Sequence, residues 1–88
     1  MTFDLDRAYR LSPAATLRPE PFGALAYHFG NRRLTFLKSR QLVTVVRLLD
    51  SHESAADALD AAGVPAGQRV RYTAALAALA DSEIIDAR

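Results

Sequence analysis

Apolar and polar positions alternate strictly in two adjacent stretches, "ALAYHF" and "RRLTFL", which flank Gly30-Asn31. Period-two alternation is the signature of strands. A glycine-first pair between them suits a two-residue type II′ hairpin turn, because glycine accepts a positive φ. That register sets Phe29 opposite Arg32, Tyr27 opposite Leu34 and Leu25 opposite Phe36. It gathers Leu25, Tyr27, Phe29, Leu34 and Phe36 on one face, expected to face the core, and Ala26, His28, Arg33 and Thr35 on an open face. Upstream, "ATLRPEPFG" offers a short first strand, Ala15 to Arg18. Pro19 and Pro21 cannot donate to a ladder and mark a turn or sheet edge. Residues 1–14 alternate only weakly and are broken by Ser12-Pro13, which predicts a loosely held N-terminal arm preceding a domain of residues 15–88.

Beyond the hairpin the period changes to that of a helix. Ser39 is placed to cap a helix over Arg40–Leu49, with Leu42, Val45, Val46 and Leu49 as its stripe, widened by Val43 and Leu48. Ser54 with Asp57 three residues on resembles a capping box, and Gly63 occupies the expected C′ position of a short second helix around Leu59. Pro65 opens a third helix, where Val70, Thr73, Leu76, Ala77 and Ala80 recur at helical spacing beside Tyr72 and Leu79. Ile84 and Ile85 are expected to fold back onto the core. The order is β-β-β-α-α-α: an α+β, winged-helix-like architecture with a three-stranded antiparallel sheet followed by three helices. The hairpin precedes the helices, whereas a DNA-binding winged helix typically places its wing after the recognition helix.

Composition narrows the chemistry. With 88 residues, half of them hydrophobic, the chain builds one core but no deep enzyme cleft. It has no cysteine, which removes disulfides, thiolate catalysis and Cys-based metal sites and fits a reducing cytoplasm. No apolar run approaches a membrane span, and "MTFDLDRAYR" lacks a signal peptide's apolar centre. His28 and His52 are not at ligand spacing, so no metal is expected, and no cofactor site is apparent. No nucleophile elbow or phosphate-cradling glycine pattern occurs. Asp50-Ser51 faintly resembles the attachment serine of carrier proteins, but those are acidic helical bundles without a leading hairpin. Asp57 and Asp60 suit a solvated helix face. No catalytic function is expected.

Net charge is only +1, yet from Pro21 to Leu49 there is no Asp or Glu against Arg32, Arg33, Lys38, Arg40 and Arg47. Such a basic stretch suits an acidic partner. A winged-helix DNA-binding regulator is the alternative reading. However, Arg32, Arg33, Arg69 and Arg71 sit on separate elements, and the third helix shows no row of base-reading side chains. Nucleic acid and membrane are therefore not the expected partners. The remaining feature is the third strand, which in a meander is an edge. Arg32 and Arg33 either guard that edge or frame a template to which an extended peptide adds as a strand. Four or five backbone hydrogen bonds, each worth roughly 0.5–1.5 kcal/mol net, only offset the ~2–5 kcal/mol cost of ordering a peptide. Apolar anchors must therefore enter a groove beside the strand, for which Tyr72, Thr73 and Leu76 are the candidate wall.

"YRLSPAATLRPEPFGALAYHFGNRRLTFLKS", "LVTVVRLLDSHESAADALDAAGVP" and "YTAALAALADSEII" resemble the PqqD-like family of recognition elements for ribosomally made, modified peptides. Within that family the chain resembles the small peptide chaperones of mycofactocin biosynthesis, with "LRPEPFGALAYHFG" and "RRLTFLKS" the most specific parts of the resemblance. The resemblance covers Tyr9 to Ile85. It implies a winged-helix-like, non-enzymatic adaptor that binds the leader of a precursor peptide and presents it to a radical SAM maturase. By position, the family's third strand is Arg32, Arg33, Leu34, Thr35, Phe36 and Leu37, and its third helix begins near Pro65. The resemblance places the leader between them but carries over no contact residue on the helix; the contacts expected from this chain's own residues are Arg69, Tyr72, Thr73 and Leu76.

Overall fold

The structure, a computed structural model, describes residues 3–88. The expected α+β order is present with one strand added at each end: β1 (Tyr9–Leu11), β2 (Ala15–Glu20), β3 (Gly23–His28), β4 (Leu34–Leu37), α1 (Arg40–Leu48), α2 (Ala55–Ala61), α3 (Arg69–Asp81) and β5 (Ile85–Ala87). Single 3₁₀ turns follow α1 at Leu49–Ser51 and precede α3 at Ala66–Gln68. Strands β2, β3 and β4 form the three-stranded antiparallel meander, while β1 and β5 form a separate antiparallel pair.

The helix boundaries follow from local chemistry. Ser39 Oγ accepts the Leu42 N–H at 2.9 Å and starts α1. Ser54 Oγ does the same for Asp57 at 3.0 Å and starts α2. Gly63, at φ +75°, ends α2 in a Schellman motif: its N–H donates to Asp60 O, and the Val64 N–H donates to Leu59 O. The end of α3 repeats that geometry without a glycine. Glu83 takes φ +64° while its own N–H and that of Ile84 donate to Ala80 O and Leu79 O. This turns Ile84 and Ile85 back into the core, where both are fully buried.

The loosely held arm is a correction. Met1 and Thr2, its first residues, lie outside the described ones, but the rest is tied down. Tyr9 is buried, stacks on Phe3 at 4.8 Å, and its hydroxyl accepts the Asp4 N–H at 2.8 Å. The carbonyls of Leu5 and Arg7 accept the N–H groups of Ala56 and Ala55, so this segment satisfies orphan donors of α2. The β1 strand then pairs Tyr9 with Ala87 and Leu11 with Ile85. Weak alternation concealed these partners because they lie at the far end of the chain.

The hairpin register is as expected for Tyr27 with Leu34 and Leu25 with Phe36. Its facing is reversed. Ala24, Ala26, His28 and Leu37 are buried beneath the helices, and Phe29, Leu34 and Phe36 are exposed. Period-two alternation says which residues share a face but not which face is covered. Here Leu42, Val45 and Val46 of α1, with Leu59, Leu76, Leu79 and Tyr9, fill the interior. The strand beneath them presents alanines, which let the helix approach closely.

The turn also differs. Instead of a two-residue II′ loop, β3 ends at His28 and β4 starts at Leu34, and the positive φ falls on Arg32 at +62°. Arg32 and Arg33 therefore lie in the loop, outside the strand. His28 Nδ1 accepts the N–H groups of Gly30 and Asn31 at 3.0 and 3.1 Å, and Asn31 Oδ1 accepts that of Arg33. The histidine ring thus shapes the loop from its buried side.

Candidate functional site

The meander has two free edges, and the sequence treats them differently. On β2, Ala15 already donates its N–H to Ser12 O, and Pro19 has none to give. That edge is blunted. On β4 the hydrogen-bonding phase follows from the first rung, where the His28 N–H donates to Arg33 O at 3.0 Å. Antiparallel rungs alternate, so Ala26 with Thr35 and Ala24 with Leu37 exchange ladder bonds. The N–H and C=O groups of Leu34 and Phe36 consequently point away from the sheet. Pro19 opposite Ala24 agrees with this phase, since it falls at a position that needs no donor toward β3.

Where β4 runs into α1, a shallow groove of about 180 Å³ opens between that junction and α3, lined by Lys38, Ser39, Leu42, Arg71, Tyr72 and Ala75. Tyr72 is held in place at both sides of its hydroxyl. It lies 3.0 Å from Ser39 Oγ and 3.4 Å from Gln41 Oε1, to which it donates. Leu42 and Ala75 make the apolar floor, and Lys38 and Arg71 bring positive charge to the mouth.

The ten residues singled out from sequence separate in the structure. Leu34 and Phe36 are exposed on the edge strand, Thr35 is half-buried and Leu37 is fully buried. Arg32 and Arg33 stand at the loop tip. Of the four expected from α3, only Tyr72 faces the groove. Leu76 is buried in the core and cannot form a wall. Arg69 pairs with Asp60, and Thr73 Oγ1 donates to Arg69 O at 2.7 Å. Both line the opposite flank of the helix, beside Phe3 and Leu5. Arg71 and Ala75 were missed. Their signal was helical spacing: once Leu76 and Leu79 are fixed inward, positions 71 and 75 fall on the flank next to Tyr72.

The arrangement can hold an extended chain by backbone hydrogen bonds, with alternate side chains entering the groove. Among the described residues, no group of three His, Asp or Glu side chains could hold a metal ion, and no helix is long and apolar enough to cross a membrane.

Comparison with known proteins shows the family. The family model of the peptide chaperone MftB family matches residues 8–86. The peptide chaperone MftB of Mycolicibacterium smegmatis is 49% identical over 85 residues, covering 97% of this chain and 83% of that protein. Those of Mycobacterium ulcerans and Mycobacterium tuberculosis are 48% and 46% identical over 83 residues, each covering 94% of this chain and 76% of the relative. No solved structure matches the chain.

Proposed function

The chain belongs to the peptide chaperone MftB family, and on that premise we propose that it binds the leader of a ribosomally made precursor peptide as a strand added to β4. It then presents that peptide to a radical SAM maturase of mycofactocin biosynthesis, as a cytoplasmic, non-enzymatic adaptor. The carrying observation is the open edge at Leu34 and Phe36, opposite an edge that Pro19 and Ser12 close.

Magnitudes assign the parts. Two open residues offer two donors and two acceptors, worth roughly 2–6 kcal/mol together at 0.5–1.5 each. Ordering the peptide costs about 2–5 kcal/mol. The ladder therefore sets direction and register but leaves little net affinity. One aliphatic anchor buried on Leu42 and Ala75 adds about 1.5–3 kcal/mol, and the groove supplies the place for it.

Charge selects the occupant. Two copies pairing through β4, Leu34 against Phe36, would bring Arg32 and Arg33 of each to the Lys38 end of the other. Cation would meet cation, which disfavours self-pairing. An acidic strand meets the same groups with attraction.

The test is a ¹⁵N-resolved titration with the synthetic leader. Shifts are expected at Leu34 to Ser39 and at Arg71, Tyr72 and Ala75. Shifts confined to Arg69 and Thr73, or none at saturating peptide, would overturn strand addition at β4. Shifts with a random DNA duplex at low salt would favour the regulator reading instead.

A further inference from the structure

The outer face of the meander is apolar and uncovered by any of the described residues. Phe22, Phe29, Leu34 and Phe36 are 45%, 60%, 56% and 57% exposed. Leu25 and Tyr27, half-buried, complete the patch from the central strand. The rings are ordered against one another: Phe22 meets Phe36 edge-on at 5.8 Å and Tyr27 meets Phe29 at 5.3 Å. Contiguous apolar surface of this kind on a small domain marks an interaction site. Rigid aromatics with arginine are the residues protein interfaces favour.

This face is distinct from the strand edge. A peptide added to β4 runs alongside the sheet, whereas Leu25, Tyr27 and Arg18 lie over β3 and β2. The rim carries Arg18 and Lys38, with Lys38 closing a hollow against Phe22 and Phe36. The one carboxylate there, Glu20, is held by Arg18 Nε at 2.7 Å. A second copy packed face to face would offer Lys38 no free carboxylate, since Glu20 is already engaged by Arg18, so charge complementarity argues for a different protein.

We propose that the outer face of the β2–β3–β4 sheet docks a folded protein through an apolar patch edged with carboxylates, and that this partner is the maturase. The assignment of the partner rests on the function proposed above. The loaded chaperone then holds its two clients on perpendicular sides of one strand, the peptide on the edge of β4 and the enzyme on its outer face.

The experiment titrates purified radical SAM maturase and, separately, the leader peptide into the full chain and two variants. Phe22→Ser/Tyr27→Ser removes aromatic contacts, and Arg18→Glu alters the rim alone. Maturase affinity should fall at least about tenfold in the first and about three- to tenfold, in a salt-dependent way, in the second. Leader affinity should stay within about twofold in both, because the leader bonds to the backbone of Leu34 and Phe36 while the variants change only side chains of β2, β3 and the turn between them. Phe22→Ser alone, in the β2–β3 turn, serves if the double variant does not fold. Unchanged maturase affinity in folded variants would overturn the docking face while leaving the proposed function intact. A concentration-dependent dimer abolished by Phe22→Ser would reassign the face to self-association. A wild-type chain that binds leader but no maturase would overturn the partner assignment in both.

Discussion

Tyr72 of α3 and Ser39, the N-cap of α1, share a hydrogen bond of 3.0 Å between their hydroxyls. Ser39 also accepts the Leu42 N–H, so one side chain both starts α1 and anchors the ring that walls the groove. Tyr72→Phe keeps the ring and removes the bond. It should cost about 0.5–1.5 kcal/mol in urea unfolding and weaken leader binding severalfold by calorimetry. A wild-type affinity would mean that the ring is held by packing alone.

The phase of the ladder separates two neighbouring prolines. Thr35 donates toward Ala26 within the sheet, so Thr35→Pro removes an internal bond and should unfold the hairpin. Phe36 faces its N–H outward, so Phe36→Pro removes a donor the fold does not use. Relative to Phe36→Ala, which controls for the ring, its melting temperature should barely change while leader affinity falls by about tenfold. Equal affinities of the two Phe36 variants would exclude the edge from recognition.

Much of this was legible from residue types. Ser39, Ser54 and Gly63 marked helix ends because caps are local chemistry, read from side chain to nearest backbone. The Tyr27–Leu34 and Leu25–Phe36 register survived a wrong turn type, since alternation on both strands constrains it independently of the loop. The facing of the sheet was not legible. Large residues at Leu25, Tyr27 and Phe36 looked like core because nothing local shows that α1 and the buried pair Ile84-Ile85 have already filled the interior. The groove suffered from the same gap. Choosing Leu76 for its wall failed because an apolar residue on a helix stripe says it is buried, not whether it meets a groove or a core.

Gly23 is where two chain segments nearly touch. It has φ +153°, and a Cβ there would fall 2.1 Å from Leu37 O and 3.0 Å from Ser39 N. Both contacts are backbone, at the junction that positions the edge strand and the α1 cap. Gly23→Ala must displace that junction, and a cost above about 4 kcal/mol is expected. Chemical denaturation of the variant checks it. A loss under 1 kcal/mol, about the size of an ordinary surface change, would show that the junction can move.

Glu83 points the other way. It holds φ +64° at the C′ position of α3, where glycine has no Cβ penalty. Its carboxylate accepts only a long, exposed bond from Asn31 Nδ2 at 3.3 Å. Glu83→Gly should therefore stabilise the domain by about 0.5–1 kcal/mol, read as a higher urea midpoint with an unchanged slope. Destabilisation would give the Asn31 contact more weight than its length suggests.

Charge around the edge makes the last prediction, and it separates steering from anchoring. Arg33 and Lys38 stand at the two ends of β4, exposed and without a carboxylate partner among the described ion pairs. Arg69, by contrast, is engaged by Asp60. Exposed charges act over about 8 Å at physiological ionic strength, far enough to reach an acidic leader before it docks. Arg33→Glu/Lys38→Glu should slow leader association by about tenfold at low salt and lose most of that effect near 1 M salt, with dissociation little changed. Arg69→Gln should affect both rates far less, since Arg69 lies on the flank of α3 away from the groove. Stopped-flow fluorescence with labelled leader measures both rates. Equal sensitivity at Arg69 would move the leader to the other flank of α3, and an effect on dissociation alone would make the two cations direct contacts rather than steering charges.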